Sequence, residues 1–129
     1  MNMKKVLIIE DHPDMRELIS HQMKRMGFQV IPAERAKEGV EKALVERPHL
    51  ILMDIMMPEM DGREATRILR SNPETRDIPI LAATVLFRES ELRECIEAGC
   101  NDCIIKPFTY QELESKIQEI LPATSAATH

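Results

Sequence analysis

The sequence predicts an α/β domain: a doubly wound, five-stranded parallel sheet with helices on both faces. Two observations point there. Short apolar runs alternate with longer stretches of helical periodicity, five times over, and parallel strands joined by crossover helices produce that rhythm. The runs are also continuous rather than alternating, as in Val6-Leu7-Ile8-Ile9 and Leu50-Ile51-Leu52-Met53, which marks strands covered on both faces.

Each element has its own signal. After the first strand, Val6–Ile9, Pro13 opens a helix where its missing N–H costs nothing. Met15, Leu18, Ile19, Met23 and Met26 give that helix one apolar stripe, and Gly27 closes it. Residues 28–31, Phe-Gln-Val-Ile, form a short second strand. Ala36, Val40, Ala43 and Leu44 mark a second helix that must end before Pro48. Residues 50–53 form the third strand and deliver Asp54 at its C-terminal end. A loop from Met56 to Asp61 leads to a third helix over about residues 63–70, and the polar stretch 71–77 is another loop. The fourth strand, residues 80–83, ends at Thr84. A helix over about 89–98 is closed by Gly99. The fifth strand, Cys103-Ile104-Ile105, ends at Lys106-Pro107. Leu113, Ile117, Ile120 and Leu121 stripe the last helix.

A length of 129 residues suits one domain, able to bury roughly two-thirds of its unfolded surface without a disulfide or metal staple. Aromatics are scarce, with one Tyr, three Phe and no Trp, so nine Met and many Ile and Leu must fill the core. A net charge of -5 argues against direct binding of nucleic acid. Three cysteines, an odd number, with no signal peptide favour a reducing cytoplasm. No apolar run is long enough to span a membrane. Residues 1–122 read as the domain and 123–129 as a flexible tail.

The chemistry lies in where the polar residues fall. Glu10 and Asp11 follow the first strand, Asp54 the third, Thr84 the fourth and Lys106 the fifth. Open parallel sheets bind ligands outside the carboxyl ends of their strands, so topology alone gathers these five on one edge. Two like charges about 4 Å apart repel by ~4 kcal/mol at an effective dielectric of ~20. Three carboxylates therefore need raised pKa values or a cation. An all-oxygen site of this kind suits Mg2+. Lys106 adds a point charge for a phosphoryl oxygen, and Thr84 a hydroxyl donor. Asp54, ending the central strand, is the best-placed nucleophile.

At this point the sequence resembles the receiver domain of bacterial two-component response regulators over about residues 3–121. The motifs are Ile-Ile-Glu-Asp at 8–11, Asp-Ile-Met-Met-Pro-Glu-Met-Asp-Gly at 54–62, Pro-Ile-Leu-Ala-Ala-Thr at 79–84 and Lys-Pro-Phe at 106–108. The resemblance implies a flavodoxin-like strand order 2-1-3-4-5. It implies that Asp54 accepts a phosphoryl group from a phosphohistidine on a histidine kinase or phosphotransfer protein. It assigns Mg2+ to Asp11, Asp54 and the Met56 backbone carbonyl, with Glu10 acting through water. Thr84 would move toward the phosphoryl group, Lys106 would pair with it, Pro107 would follow a cis peptide bond, and Asp61-Gly62 would turn the chain into the third helix. A downstream protein or a second receiver would read the state at the face formed by the fourth helix, fifth strand and fifth helix. On this reading the chain is a phosphoacceptor with self-catalysed phosphorylation and dephosphorylation rather than an enzyme, and either a stand-alone regulator or part of a larger protein.

Some positions depart from the family pattern. Cys103 stands where receivers usually carry Tyr or Phe, three residues before the lysine. Val85 stands where a smaller residue is usual. Met56 and Leu86, two residues beyond Asp54 and Thr84, stand at positions that flank the path of hydrolytic water in the family; both are apolar, which predicts a slowly hydrolysing aspartyl phosphate.

The same residues admit competing readings. Asp11 could cap the helix that starts near Pro13, and His12 could tune the acid pocket or simply be solvated. Cys100 and Cys103 form a CxxC, but one that enters a strand after a helix rather than a helix N-terminus; Cys95 is the obvious third thiol, one short of a zinc set. The alternative function is a Mg2+-dependent phosphatase or phosphotransferase with an aspartate nucleophile. Such enzymes usually need a second acid where Met56 stands. No G-x-G-x-x-G or G-x-x-x-x-G-K-[ST] supports a nucleotide or flavin site.

Overall fold

In a computed structural model, which describes residues 3–85 and 88–121, all five apolar runs become strands of one parallel sheet. The chain order is β1 (Lys5–Ile9), α1 (Pro13–Arg25), β2 (Gln29–Ala33), α2 (Ala36–Glu46), β3 (Leu50–Asp54), α3 (Gly62–Ser71), β4 (Ile80–Thr84), α4 (Glu89–Ala98), β5 (Asp102–Ile105) and α5 (Tyr110–Ile120). The strands lie in the order β2-β1-β3-β4-β5, as expected. Winding reverses between β1 and β3, where Ile9 lies beside Met53, and a crevice opens at such a reversal.

Side chains alternate along a strand, so each strand feeds two cores. Leu7, Ile9, Ile51, Met53, Ile80 and Ala82 pack with Ala36, Ala43, Ala65, Leu69 and Cys95 of α2, α3 and α4. Val6, Ile8, Leu50, Leu52, Leu81, Ala83 and Ile104 pack with Ile19 and Met23 of α1 and Leu113 and Ile117 of α5. Burial on both faces explains why the strands read as unbroken apolar runs. Each fully buried Leu or Ile contributes about 1.5–3 kcal/mol.

Local chemistry sets the helix ends. Pro13 begins α1 as predicted, and the N-cap is His12, without a side-chain capping bond. Gly27, at φ +97°, lets Phe28 N donate to Met23 O at 3.1 Å and so ends the helix. Asp61 caps α3, accepting from Arg63 N at 2.7 Å and Glu64 N at 3.3 Å. Thr109 and Glu112 form a capping box on α5.

Two sequence expectations change. β2 runs through Pro32 to Ala33 instead of stopping at Ile31. It is an edge strand, where a proline has no ladder bond to lose on the outer side. Leu18, assigned to the buried stripe of α1, is 51% exposed. It stands one residue before Ile19, off the i, i+4 line that carries Met15, Ile19 and Met23 inward. No helix among the described residues is long and apolar enough to cross a membrane. The expected tail at 123–129 and Leu86 lie outside the described residues.

Candidate functional site

Strand parity assembles the site. Asp54 ends β3 two residues after Leu52, Glu10 follows β1 two residues after Ile8, and Lys106 follows β5 two residues after Ile104. All three continue rows that face α1 and α5. Carboxylate oxygens of Glu10, Asp11 and Asp54 lie within 4.8 Å of one another, the one such group of potential metal ligands among the described residues. Lys106 Nζ sits 2.9 Å from Glu10 Oε1 and 3.3 Å from Asp54 Oδ1. The Lys106-Pro107 peptide is cis, as the resemblance implies.

Backbone donors hold the acids in place. His12 N donates to Glu10 Oε2 at 3.1 Å and Met56 N to Asp54 Oδ1 at 3.3 Å. With His12 as the N-cap, Asp11 is not the cap of α1. Gly62 explains how α3 can start so close to Asp54. A Cβ on it would lie 2.6 Å from Asp54 O, while its own N–H donates to Ile55 O at 2.8 Å. Only a residue without a side chain fits there.

The electrostatics are unbalanced. Asp54 is 5% and Glu10 2% exposed. Burial pushes the Asp54 carboxyl up from its ordinary 3.8 to about 7; Lys106 pulls it down, and Glu10 adds to the rise. One ammonium cannot neutralise three carboxylates. A hard divalent cation would complete the charge balance, and three carboxylates within reach of one point are the all-oxygen donor set that Mg2+ takes. The residues present therefore fit this ion.

A groove of about 520 Å³ opens over the acids, and its lining includes Met15, Leu18, Met56, Val85 and Pro107 beside the charged residues. Met56 and Val85 are 57% and 56% exposed, so the groove above Asp54 has apolar walls. Thr84 is wholly buried at the end of β4, and its carbonyl accepts from Lys106 N at 2.8 Å. It shares the parity of Ile80 and Ala82, which face α2, α3 and α4. The structure thus gathers Glu10, Asp11, Asp54, Met56 and Lys106 around the groove, while Thr84 sits buried at the end of β4, one residue past the partner of Asp54.

Sequence reasoning missed some participants. Arg16 donates from NH1 to Glu10 O at 2.8 Å and lies 3.8 Å from Glu34, buttressing the turn after β1. An arginine six residues past an acid carries no pattern that would reveal this. Leu18, which its spacing assigns to the core, lines the groove instead.

A family model described as the response regulator receiver domain matches residues 6–118. A probable transcriptional regulator ycf27 of Cyanophora paradoxa is 31% identical over 128 residues, 99% of this chain and 52% of that protein. The alkaline phosphatase synthesis transcriptional regulatory protein PhoP of Bacillus subtilis is 32% identical over 96% of this chain and 51% of its own length. The chain spans about half the length of the curated relatives it matches. Among solved structures, the chemotaxis protein CheY4 of Vibrio cholerae superposes with a TM-score of 0.89 at 29% identity, covering 93% of this chain and 100% of that one. The receiver domain of sensor histidine kinase PA1611 of Pseudomonas aeruginosa gives 0.86 at 31% identity, covering 92% and 98%; it has a magnesium ion coordinated in its active site cleft.

Proposed function

The chain belongs to the response regulator receiver family and is a phosphorylation-dependent signalling module, and we propose that Asp54 is its phosphoacceptor, with Mg2+ held beside it. The observation that carries this is the position of Asp54: buried at the end of the central strand, within 4.8 Å of two further acids and 3.3 Å from Lys106 Nζ.

Each residue has a part to play. Asp54 attacks the phosphorus of a phosphohistidine on a histidine kinase or phosphotransfer protein, and the imidazole leaves. The nucleophile must be ionised, and Lys106 favours that state because it lowers the Asp54 pKa. The same ammonium grips an oxygen of the arriving phosphoryl group, and the Thr84 hydroxyl donates to another. Asp11, Asp54 and the Met56 backbone carbonyl would hold Mg2+, with Glu10 acting through water. When bound, Mg2+ supplies positive charge that keeps Asp54 ionised and offsets the charge of the phosphoryl oxygens.

These residues also support phosphorylation from small donors and self-catalysed loss of the phosphate. The readout is a change of protein contacts by a downstream target or a second receiver, and the setting is the cytoplasm, in keeping with three free thiols. The phosphatase or phosphotransferase alternative is not favoured, because Met56 provides no second acid beside the nucleophile.

Incubation with acetyl phosphate and Mg2+, followed by intact mass, tests the proposal. Wild type should gain about 80 Da, one phosphoryl group, and the gain should vanish in Asp54→Asn or with a chelator. An adduct that survives Asp54→Asn, or no adduct with any phosphodonor, overturns it.

A further inference from the structure

Helices α4 and α5 flank β5, which is an edge strand of the sheet, and a groove of about 660 Å³ runs between them. Part of its lining is apolar. Leu92 and Ile96 lie four residues apart on α4, hence on one side of that helix, and Ile105 comes from β5. Ile96 and Ile105 are 47% and 41% exposed, so apolar surface stands uncovered outside the groove that holds Asp54.

The rim is acidic. Four carboxylates and two cations line the groove, and both cations are already taken: Arg93 lies 3.2 Å from Glu89, and Lys116 lies 3.1 Å from Asp102. Glu112 and Glu119 of α5 have no ion pair among the described residues. Glu112 Oε1 accepts from Thr109 N at 2.8 Å, which fixes its place and leaves its charge.

The edge is not set up to take an added strand. The Cys103 N–H donates to Asp102 Oδ1 at 2.7 Å, and Lys116 holds the other oxygen of that carboxylate. A donor so occupied is withheld from an incoming ladder. A helix laid between α4 and α5 needs no ladder bonds; it needs apolar anchors at helical spacing and charge opposite to the rim.

We propose that this groove docks an amphipathic helix of a partner protein, its apolar stripe on Leu92, Ile96 and Ile105 and its flanking lysines or arginines toward Glu112 and Glu119. The inference deepens the proposed readout by giving its target a chemistry, and it rests on that reading for the choice of a protein target. Burial of the stripe supplies the affinity, and the two unmatched acids select against anionic helices.

The probe is a capped synthetic peptide with leucines at helical spacing and lysines beside them. It is titrated calorimetrically into the full chain, with and without acetyl phosphate and Mg2+. Binding should saturate, weaken with added salt and give the bound peptide a helical circular-dichroism signal. The same peptide with glutamate for lysine, or with its residues scrambled, should not bind. Glu112→Gln combined with Glu119→Gln should weaken binding about tenfold, since glutamine keeps the capping box of α5. Ile96→Gln, at an exposed position, should abolish binding without moving the thermal melt. Equal binding of the glutamate or scrambled peptide, binding unchanged in Ile96→Gln, or an extended bound peptide would each overturn the proposal. So would a second copy of this chain in the groove, seen as wild-type dimers that Ile96→Gln dissolves. Wild type that gains the phosphoryl adduct yet binds no peptide in either state overturns the docking site alone; absence of the adduct bears only on Asp54.

Discussion

Glu10 and Lys106, from opposite ends of the sequence, meet as an ion pair of 2.9 Å with side chains only 2% and 12% exposed. Lys106 is simultaneously 3.3 Å from Asp54. One cation thus serves two buried acids, and removing it leaves both uncompensated. Lys106→Met should lower unfolding stability by about 3 kcal/mol in urea titration at neutral pH. The rate of adduct formation from acetyl phosphate should fall about a hundredfold, as for loss of one preorganised electrostatic contact. Unchanged stability and rate would make Lys106 a bystander.

The raised Asp54 carboxyl has a consequence for pH. Its ordinary value is 3.8 and its folded value about 7. Between these, the folded state keeps a proton that the unfolded state has released, so stability falls as pH rises from about 4 to about 7. Asp54→Asn lacks this penalty. The variant should match wild type near pH 4 and exceed it by about 2–4 kcal/mol near pH 8, measured by chemical denaturation without added metal. A stability difference independent of pH would refute the raised pKa.

Metal should act in the same direction. At about pH 8, Mg2+ at a hundredfold excess over its Kd should stabilise wild type by about 2.7 kcal/mol. Asp11→Asn should remove most of that gain in a thermal melt. Equal stabilisation of wild type and variant would place the ion elsewhere.

Apolar cover over Asp54 predicts a long-lived phosphate. Met56 is largely exposed at the groove, and a thioether cannot orient a water for attack. Met56→Asn should speed loss of the adduct about tenfold, equivalent to ~1.4 kcal/mol in the barrier, followed by intact mass after donor removal. Rapid loss from wild type would contradict this.

Gly62 offers a purely structural test. A methyl there meets the Asp54 carbonyl at 2.6 Å and Ile55 Cα at 2.9 Å, and both are backbone that cannot swing aside. Gly62→Ala should destabilise by about 1–3 kcal/mol. A melt unchanged from wild type would mean that α3 can pivot freely.

Much of this was legible in the sequence for a simple physical reason. Strands buried on both faces announce themselves as apolar runs, and their C-terminal ends then locate Glu10, Asp11, Asp54, Thr84 and Lys106 without coordinates. What stayed hidden depends on depth and partnership. Leu18 obeys helical spacing yet faces the groove, because periodicity marks a face and not its neighbour. Pro32 looks like a strand terminator until the strand is known to be an edge.

The sheet divides the proposed reaction into two rooms. Asp54 continues the row facing α1 and α5, and it lies beside Ala83, whose next residue, Thr84, belongs to the row facing α2, α3 and α4. On the proposed reading, the hydroxyl that would meet the phosphoryl group starts wholly buried. To reach the phosphate it must leave that buried place. Receiving the charge and reshaping the far wall then become one mechanical event, with β4 as the doorway.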